Sequence, residues 1–116
     1  MKWMALLIGA AALGMSAQAA TLDELKERYR DLCISAAGGD MMGPKVCKCM
    51  IKKIDKSATE DQLPLIYGVL VADDEELEDA AAAAQLNITV ENYITLRDQT
   101  RDMESAQRRL CNKEVK

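Results

Sequence analysis

Two cysteines separated by a single residue, Cys47 and Cys49, constrain this chain more than any other feature of its sequence. They lie in Met41–Lys56 (MMGPKVCKCMIKKIDK), whose apolar residues recur at the spacing of a helix. Because a helix turns about 100° per residue, the two side chains point about 200° apart and cannot easily bond each other. Each can instead reach a different neighbouring segment. This geometry predicts two long-range disulfides that meet on one short helix.

The other two cysteines, Cys33 and Cys111, lie on either side, in segments that we predict to be different helices. Four cysteines allow three pairings. Cys33 lies about one turn before the predicted end of the first helix, and Cys47 about one turn after the predicted start of the second, so they are level in an antiparallel hairpin. We therefore favour Cys33 paired with Cys47, and Cys49 paired with Cys111. The alternative, Cys33 with Cys49 and Cys47 with Cys111, requires the second helix to be rotated by roughly half a turn or the first to lie on its flank.

Residues 1–19 have the pattern of a secretory signal peptide. Lys2 precedes the 13-residue apolar run Trp3–Met15, which is short for a bilayer span and has the length of a signal core. Ala17–Ala19 matches an A-x-A cleavage site, so cleavage would leave Ala20 as the first residue. An uncleaved membrane anchor is the alternative. We expect export to the bacterial periplasm or beyond, with no transmembrane segment after the signal is removed.

The remaining residues 20–116 are predicted to form a single helical domain. Its core is modest at this size, so covalent cross-links matter, and an even number of cysteines in an exported chain is typical of a disulfide framework. Removal of Lys2 leaves 14 basic and 19 acidic residues, hence a net charge of −5. This acidic balance argues against general nucleic-acid binding. We expect no cofactor, and a partner that is a protein or a component of the cell envelope.

Helical periodicity and capping signals predict an all-α bundle of four to five helices. Thr21–Glu24 (TLDE) is a capping box that starts the first helix, and the Gly38–Gly39 pair ends it. The second helix is predicted over about Pro44–Lys56. Leu63–Val71 is apolar nearly all round, which predicts a central, buried helix rather than a strand, since its neighbours are helical.

The last two helices follow from charge and spacing. The acidic run Asp73–Asp79 (DDEELED) is expected to start the fourth helix, because negative charge complements its unpaired backbone amides, and Asn87 to end it. Thr89 is the predicted cap of the fifth. Six residues at 3-4-3-4-3 spacing predict the seam along which this helix packs. They are Tyr93, Leu96, Thr100, Met103, Gln107 and Leu110.

Several catalytic chemistries are excluded by composition. The chain has no histidine, which removes Ser-His-Asp and Cys-His catalysis and imidazole metal sites. It has no Gly-rich phosphate loop and no G-x-S-x-G turn. We therefore predict a non-enzymatic binding or interaction protein.

A sulfur-rich set of residues supports an alternative function. Thiolates and thioethers select Cu(I), so the chain would be a periplasmic Cu(I) or thiol-redox carrier. The structural interpretation of the same residues is two disulfides plus core methionines. The set consists of Cys47, Cys49, Met41, Met42 and Met50.

The candidate binding face is a row of four lysines at 3-4-4 spacing, here called the lysine stripe: Lys45, Lys48, Lys52 and Lys56. Such a stripe suits an anionic lipid head group or an acidic partner. The alternative is a solvated helix face turned toward the acidic run. If Cys49 were free, these neighbouring cations would lower the pKa of its thiol and make it reactive.

Overall fold

The computed structural model describes residues 21–115, and over this range the chain forms five α-helices and no β-strand. This confirms the all-α class and the presence of two disulfides. The predicted signal peptide lies outside the described residues. The helices are α1 (Leu22–Ala36), α2 (Gly43–Ser57), α3 (Leu63–Asp74), α4 (Asp79–Gln85) and α5 (Val90–Glu114).

Helix α1 begins and ends where its capping signals predict. The Thr21 hydroxyl accepts a hydrogen bond from the Glu24 N–H at 3.1 Å, and the Glu24 carboxylate accepts one from the Thr21 N–H at 2.9 Å. The Thr21 N–H and hydroxyl both donate to the Glu24 carboxylate, and these two bonds hold the pKa of Glu24 below its usual value. Beyond Ala36, Gly38 and Gly39 adopt φ of +64° and +86°, a left-handed conformation that glycine enters without a steric cost. The chain therefore leaves the helix here and turns toward α2.

Helix α3 lies at the centre of the bundle and packs against α1, α4 and α5. Most of Leu63–Val71 is buried as predicted, although Pro64 is exposed and two neighbours are half-buried. Gly68 allows close packing, because a Cβ at this position would lie 2.6 Å from the Leu86 side chain. Two hydrophobic clusters meet along α3: one contains residues of α1 and α2, and the other contains residues of α4 and the start of α5.

Two buried tyrosines, Tyr29 and Tyr67, form the polar centre of the larger cluster. Their rings make an edge-to-face contact with centroids 5.7 Å apart. The Tyr67 hydroxyl donates to Asp55 at 2.8 Å, and the Tyr29 hydroxyl donates to Glu104 at 2.6 Å. Burial, together with these carboxylates, raises the pKa of both hydroxyls, so they remain protonated donors. The two tyrosines and their carboxylate partners therefore connect α1, α2, α3 and α5.

The prediction that the acidic run Asp73–Asp79 starts the fourth helix is wrong. Asp73 and Asp74 are the last residues of α3, Glu76 turns the chain with φ of +57°, and α4 begins only at Asp79. Because the apolar residues before Asp73 are buried in the core, α3 remains helical through Asp73 and Asp74.

Arginines offset the resulting charge at the end of α3, where carboxylates oppose the helix dipole. Arg101 forms a bidentate pair with Asp73, and Arg28 pairs with Glu75. At the start of α4, Arg97 contacts Asp79 at 2.6 Å. The acidic run is therefore held by three arginines from α1 and α5.

The end of α4 and the cap of α5 follow the predicted signals. Asn87, with φ of +58°, closes a Schellman motif in which the Ile88 N–H donates to the Ala83 carbonyl at 3.1 Å. The Thr89 hydroxyl accepts from the Asn92 N–H at 3.1 Å.

The seam of α5 is as predicted until its last position. Tyr93 and Thr100 are buried, but Leu110 is 50% exposed and Cys111 takes its place with no exposed surface. A straight helix has 3.6 residues per turn, so a strict 3.5-residue repeat drifts around its surface. By the last turn the inward position has moved by one residue, and the disulfide fixes it there.

Candidate functional site: a lysine-lined groove

Two disulfides position helix α2 between its neighbours. Cys33 is bonded to Cys47, with Cα atoms 5.9 Å apart, and Cys49 is bonded to Cys111, with Cα atoms 5.7 Å apart. This is the pairing predicted from helix geometry. Since the two cysteines of α2 diverge, one bond joins it to α1 and the other joins it to the end of α5.

The structure disperses the sulfur-rich set. Cys47 and Met50 are buried in the core, whereas Met41 is 90% exposed in the turn before α2. All four cysteines are oxidised, so Cys49 is not a reactive thiol in this state. Among the described residues no group of three or more cysteine, aspartate or glutamate side chains is close enough to hold a metal ion. A Cu(I) site built from this set would first require both disulfides to be reduced.

The lysine stripe, in contrast, is assembled as predicted. All four of its lysines are exposed along α2. They line an open groove of about 540 Å³ between α2 and the last turn of α5. The groove is completed by Lys53, Cys49, Glu114 and Val115. Half-buried Cys49 and Val115 give it an apolar floor beneath a cationic rim.

One lysine of the groove is paired and four are not. Lys53 contacts Glu114 with its amine 2.6 Å from the carboxylate. The lysine stripe makes no ion pair within residues 21–115. The four ammonium groups of the stripe therefore project into solvent without a carboxylate partner in the described part of the chain.

The acidic run does not face the stripe, so that part of the solvated-face interpretation is wrong. Its partners on α5 are Arg97 and Arg101, whereas the groove lies beside Glu114. Arginines, not the lysines of the stripe, pair with three carboxylates of the run: Asp73, Glu75 and Asp79.

The sequence patterns do not predict three residues of the groove: Lys53, Glu114 and Val115. Lys53 follows Lys52 of the stripe directly, so the sequence does place it near the groove. Glu114 and Val115 carry no local signal, because the packing of α5 against α2 and the bond between Cys49 and Cys111 bring them to the groove.

The side chains of the groove offer electrostatic contacts. Lysine is a flexible point charge with three donors, so a row of lysines suits a surface that carries several anions more than one planar anion that is gripped in a fixed geometry. Measured over residues 21–115, no helix is long and apolar enough to cross a membrane.

Comparisons of the chain with protein-family models, with curated proteins and with solved structures gave no match.

Proposed function

We propose that this chain is an exported, non-enzymatic binding protein whose lysine-lined groove binds an anionic partner, either an acidic protein or a component of the cell envelope. The observation that carries the proposal is the set of four exposed lysines that lack a carboxylate partner in the described chain, aligned on one face of α2. The Cys49–Cys111 disulfide supports it, because it holds the two walls of the groove together before the partner arrives.

Export is supported by the A-x-A pattern of residues 17–19 and by the two disulfides, since such bonds persist in oxidising compartments. We expect the exported protein to begin at Ala20. Intact-mass measurement on protein collected from the export compartment tests this, and a mass that retains Met1 would contradict it.

A non-enzymatic role is supported by the lack of histidine and by the state of the carboxylates. Two partly buried carboxylates, Asp55 and Glu104, already accept hydrogen bonds from buried tyrosines, and Asp55 also contacts Lys26 at 2.8 Å. Their acceptor capacity is used in holding the fold rather than in binding a substrate proton.

Binding is tested with residues 20–116 and a fluorescein-labelled oligoglutamate, with polyphosphate as a second soluble polyanion. We expect binding that weakens as salt is added. The variant Lys48→Gln with Lys52→Gln should bind several-fold more weakly. The matched control is Arg109→Gln with Lys113→Gln, which removes two exposed cations at the same spacing from the outer face of α5 and should bind like the parent. If no soluble polyanion and no anionic vesicle binds through Lys48 and Lys52, the proposal fails.

The alternative, a Cu(I) or thiol-redox carrier that uses Cys47 and Cys49, makes a different prediction. A count of free thiols on protein purified from its native compartment separates the two functions. No free thiol supports the binding protein, and two or more support the carrier.

A further inference from the structure

We infer that the lysine stripe and the exposed side chain of Met41 together form a docking surface for an anionic lipid bilayer. This inference rests on the proposed function and specifies its partner. The lysines would meet the head groups, and Met41 would enter the apolar layer beneath them.

Met41 lies in the turn that leads directly into α2. The Gly43 N–H donates to the Asp40 carbonyl at 3.0 Å, and the Val46 N–H donates to the Met42 carbonyl at 2.9 Å. Met41 is four residues before Lys45, so it lies at the N-terminal end of the stripe. An exposed apolar tip therefore precedes the four cations along the chain.

The tip is unusually accessible for an apolar side chain. Met41 is 90% exposed, the most exposed large hydrophobic residue of the described chain. Gly38 and Gly39 precede it and carry no side chain that would cover it. The adjacent Asp40 carboxylate accepts a hydrogen bond from the Met42 N–H at 2.9 Å, so it is engaged in shaping the turn. A flexible, unbranched thioether suits insertion into a disordered layer.

The pairing of an apolar tip with a cationic row favours a bilayer over an acidic protein. An acidic peptide offers carboxylates to the lysines but no reason for a solvent-exposed methionine. An anionic bilayer offers both negative head groups and an apolar interior, and peripheral proteins bind it by combining the two contributions. Three of the six carboxylates of the acidic run are paired with arginines, which lowers the negative charge that the run presents to the bilayer.

The composition of the chain provides a direct probe. The only tryptophan is Trp3, so the chain of residues 20–116 has none. The variant Met41→Trp therefore carries a single tryptophan at the tip. Its emission should shift to shorter wavelength with phosphatidylglycerol-rich vesicles and stay unchanged with phosphatidylcholine vesicles. The matched control is Val90→Trp, at a partly exposed position at the start of α5, far from the groove, whose emission should not shift with either vesicle.

Binding strength gives the second readout, by co-sedimentation with phosphatidylglycerol vesicles. Replacing Lys48 and Lys52 by glutamine should weaken binding by about fivefold per lysine, or about 25-fold for the pair. Met41→Ser should weaken it by about tenfold, because the buried apolar contact is lost. Val90→Ser and Arg109→Gln should leave it unchanged. Since all these side chains are at least partly exposed, circular dichroism should show each variant to be folded.

The outcomes separate this inference from the proposed function. If oligoglutamate binds through Lys48 and Lys52 while vesicles do not, the groove serves an acidic protein; the inference is overturned and the proposed function stands. If vesicles bind through the lysines but Met41→Trp does not shift and Met41→Ser binds normally, the bilayer is held by charge alone and the inference is again overturned. If no polyanion of any kind binds, both fall.

Discussion

The bond between Cys49 and Cys111 should contribute more to stability than the bond between Cys33 and Cys47. The two bonds span sequence separations of 62 and 14 residues. A cross-link lowers the entropy of the unfolded chain, and this loss grows with the logarithm of the number of residues in the loop that it closes. At 25 °C this treatment gives about 4 kcal/mol for the longer loop and about 3 kcal/mol for the shorter one. Either value is a large share of the roughly 5–15 kcal/mol that stabilises a small domain.

Few other polar contacts would hold the end of α5 against α2 if the longer bond were lost. Beyond Thr100, the described polar contacts that join the last turns of α5 to α2 are the pair of Lys53 with Glu114 and a 3.5 Å hydrogen bond from Gln107 to the Lys53 carbonyl. The ion pair is partly exposed, and such pairs contribute at most about 1 kcal/mol. Without the disulfide, the end of α5 should therefore separate from α2 and open the lysine-lined groove.

The assay is urea unfolding of residues 20–116, followed by far-UV circular dichroism without reductant. The variant Cys49→Ala with Cys111→Ala should lose about 4 kcal/mol, and Cys33→Ala with Cys47→Ala about 3 kcal/mol. A loss under about 1 kcal/mol for the first variant would refute the reasoning, because it would mean that the unfolded chain gains little freedom when the long loop opens. Non-reducing peptide mapping with a cut at Lys48 checks the pairing itself. A fragment that joins the Cys33 peptide to the Cys49 peptide would contradict it.

Three further substitutions test the core and its charges. Leu70→Asp should unfold the domain, because an unpaired carboxylate at a position that is 5% exposed costs roughly 3–5 kcal/mol. Its control, Leu110→Asp at a half-exposed position, should leave the melting temperature nearly unchanged. Equal melting temperatures for the two variants would show that α3 does not form the core. Tyr67→Phe should lower the free energy of unfolding by about 1.5–3 kcal/mol, because it removes a hydrogen bond to the Asp55 carboxylate; no loss in urea unfolding would show that this bond is energetically neutral. Partial desolvation, then the carboxylates of Glu104 and Asp73, raise the pKa of Asp74, so its ionisation destabilises the fold as the pH rises through that pKa. Asp74→Asn should therefore raise the melting temperature at neutral pH, and the gain should vanish near about pH 3, where the carboxyl is protonated in both states; a gain that is the same at both values would contradict the assignment.

Local sequence signals predicted the structure correctly wherever it depends only on residues that are close together in the chain. The capping box at Thr21, the glycine pair after α1 and the Asn87 turn depend on residues within a few positions of each other, and all three are present as predicted. The lysine stripe belongs to the same class, because helical spacing alone places its members on one face.

Tertiary packing decided the features in which distant segments compete. The acidic run was expected to open a helix on the strength of its charge, but the burial of α3 extended that helix to Asp74, and arginines from α1 and α5 supplied the compensation. At the last seam position Cys111 is buried in place of Leu110. A straight helix drifts relative to a strict seven-residue repeat, and the bond from Cys111 to α2 holds that residue inward.

The sequence by itself determined that the chain is helical, that its two central cysteines diverge, and which face of α2 is cationic, since each of these follows from the rotation of about 100° per residue. Only the tertiary structure decided that the stripe borders a groove. The opposite wall is the end of α5, which lies 62 residues away from Cys49 along the chain and is brought there by the Cys49–Cys111 bond. No local pattern encodes that proximity, because it depends on the packing of α5 against α3 and α2 along its whole length.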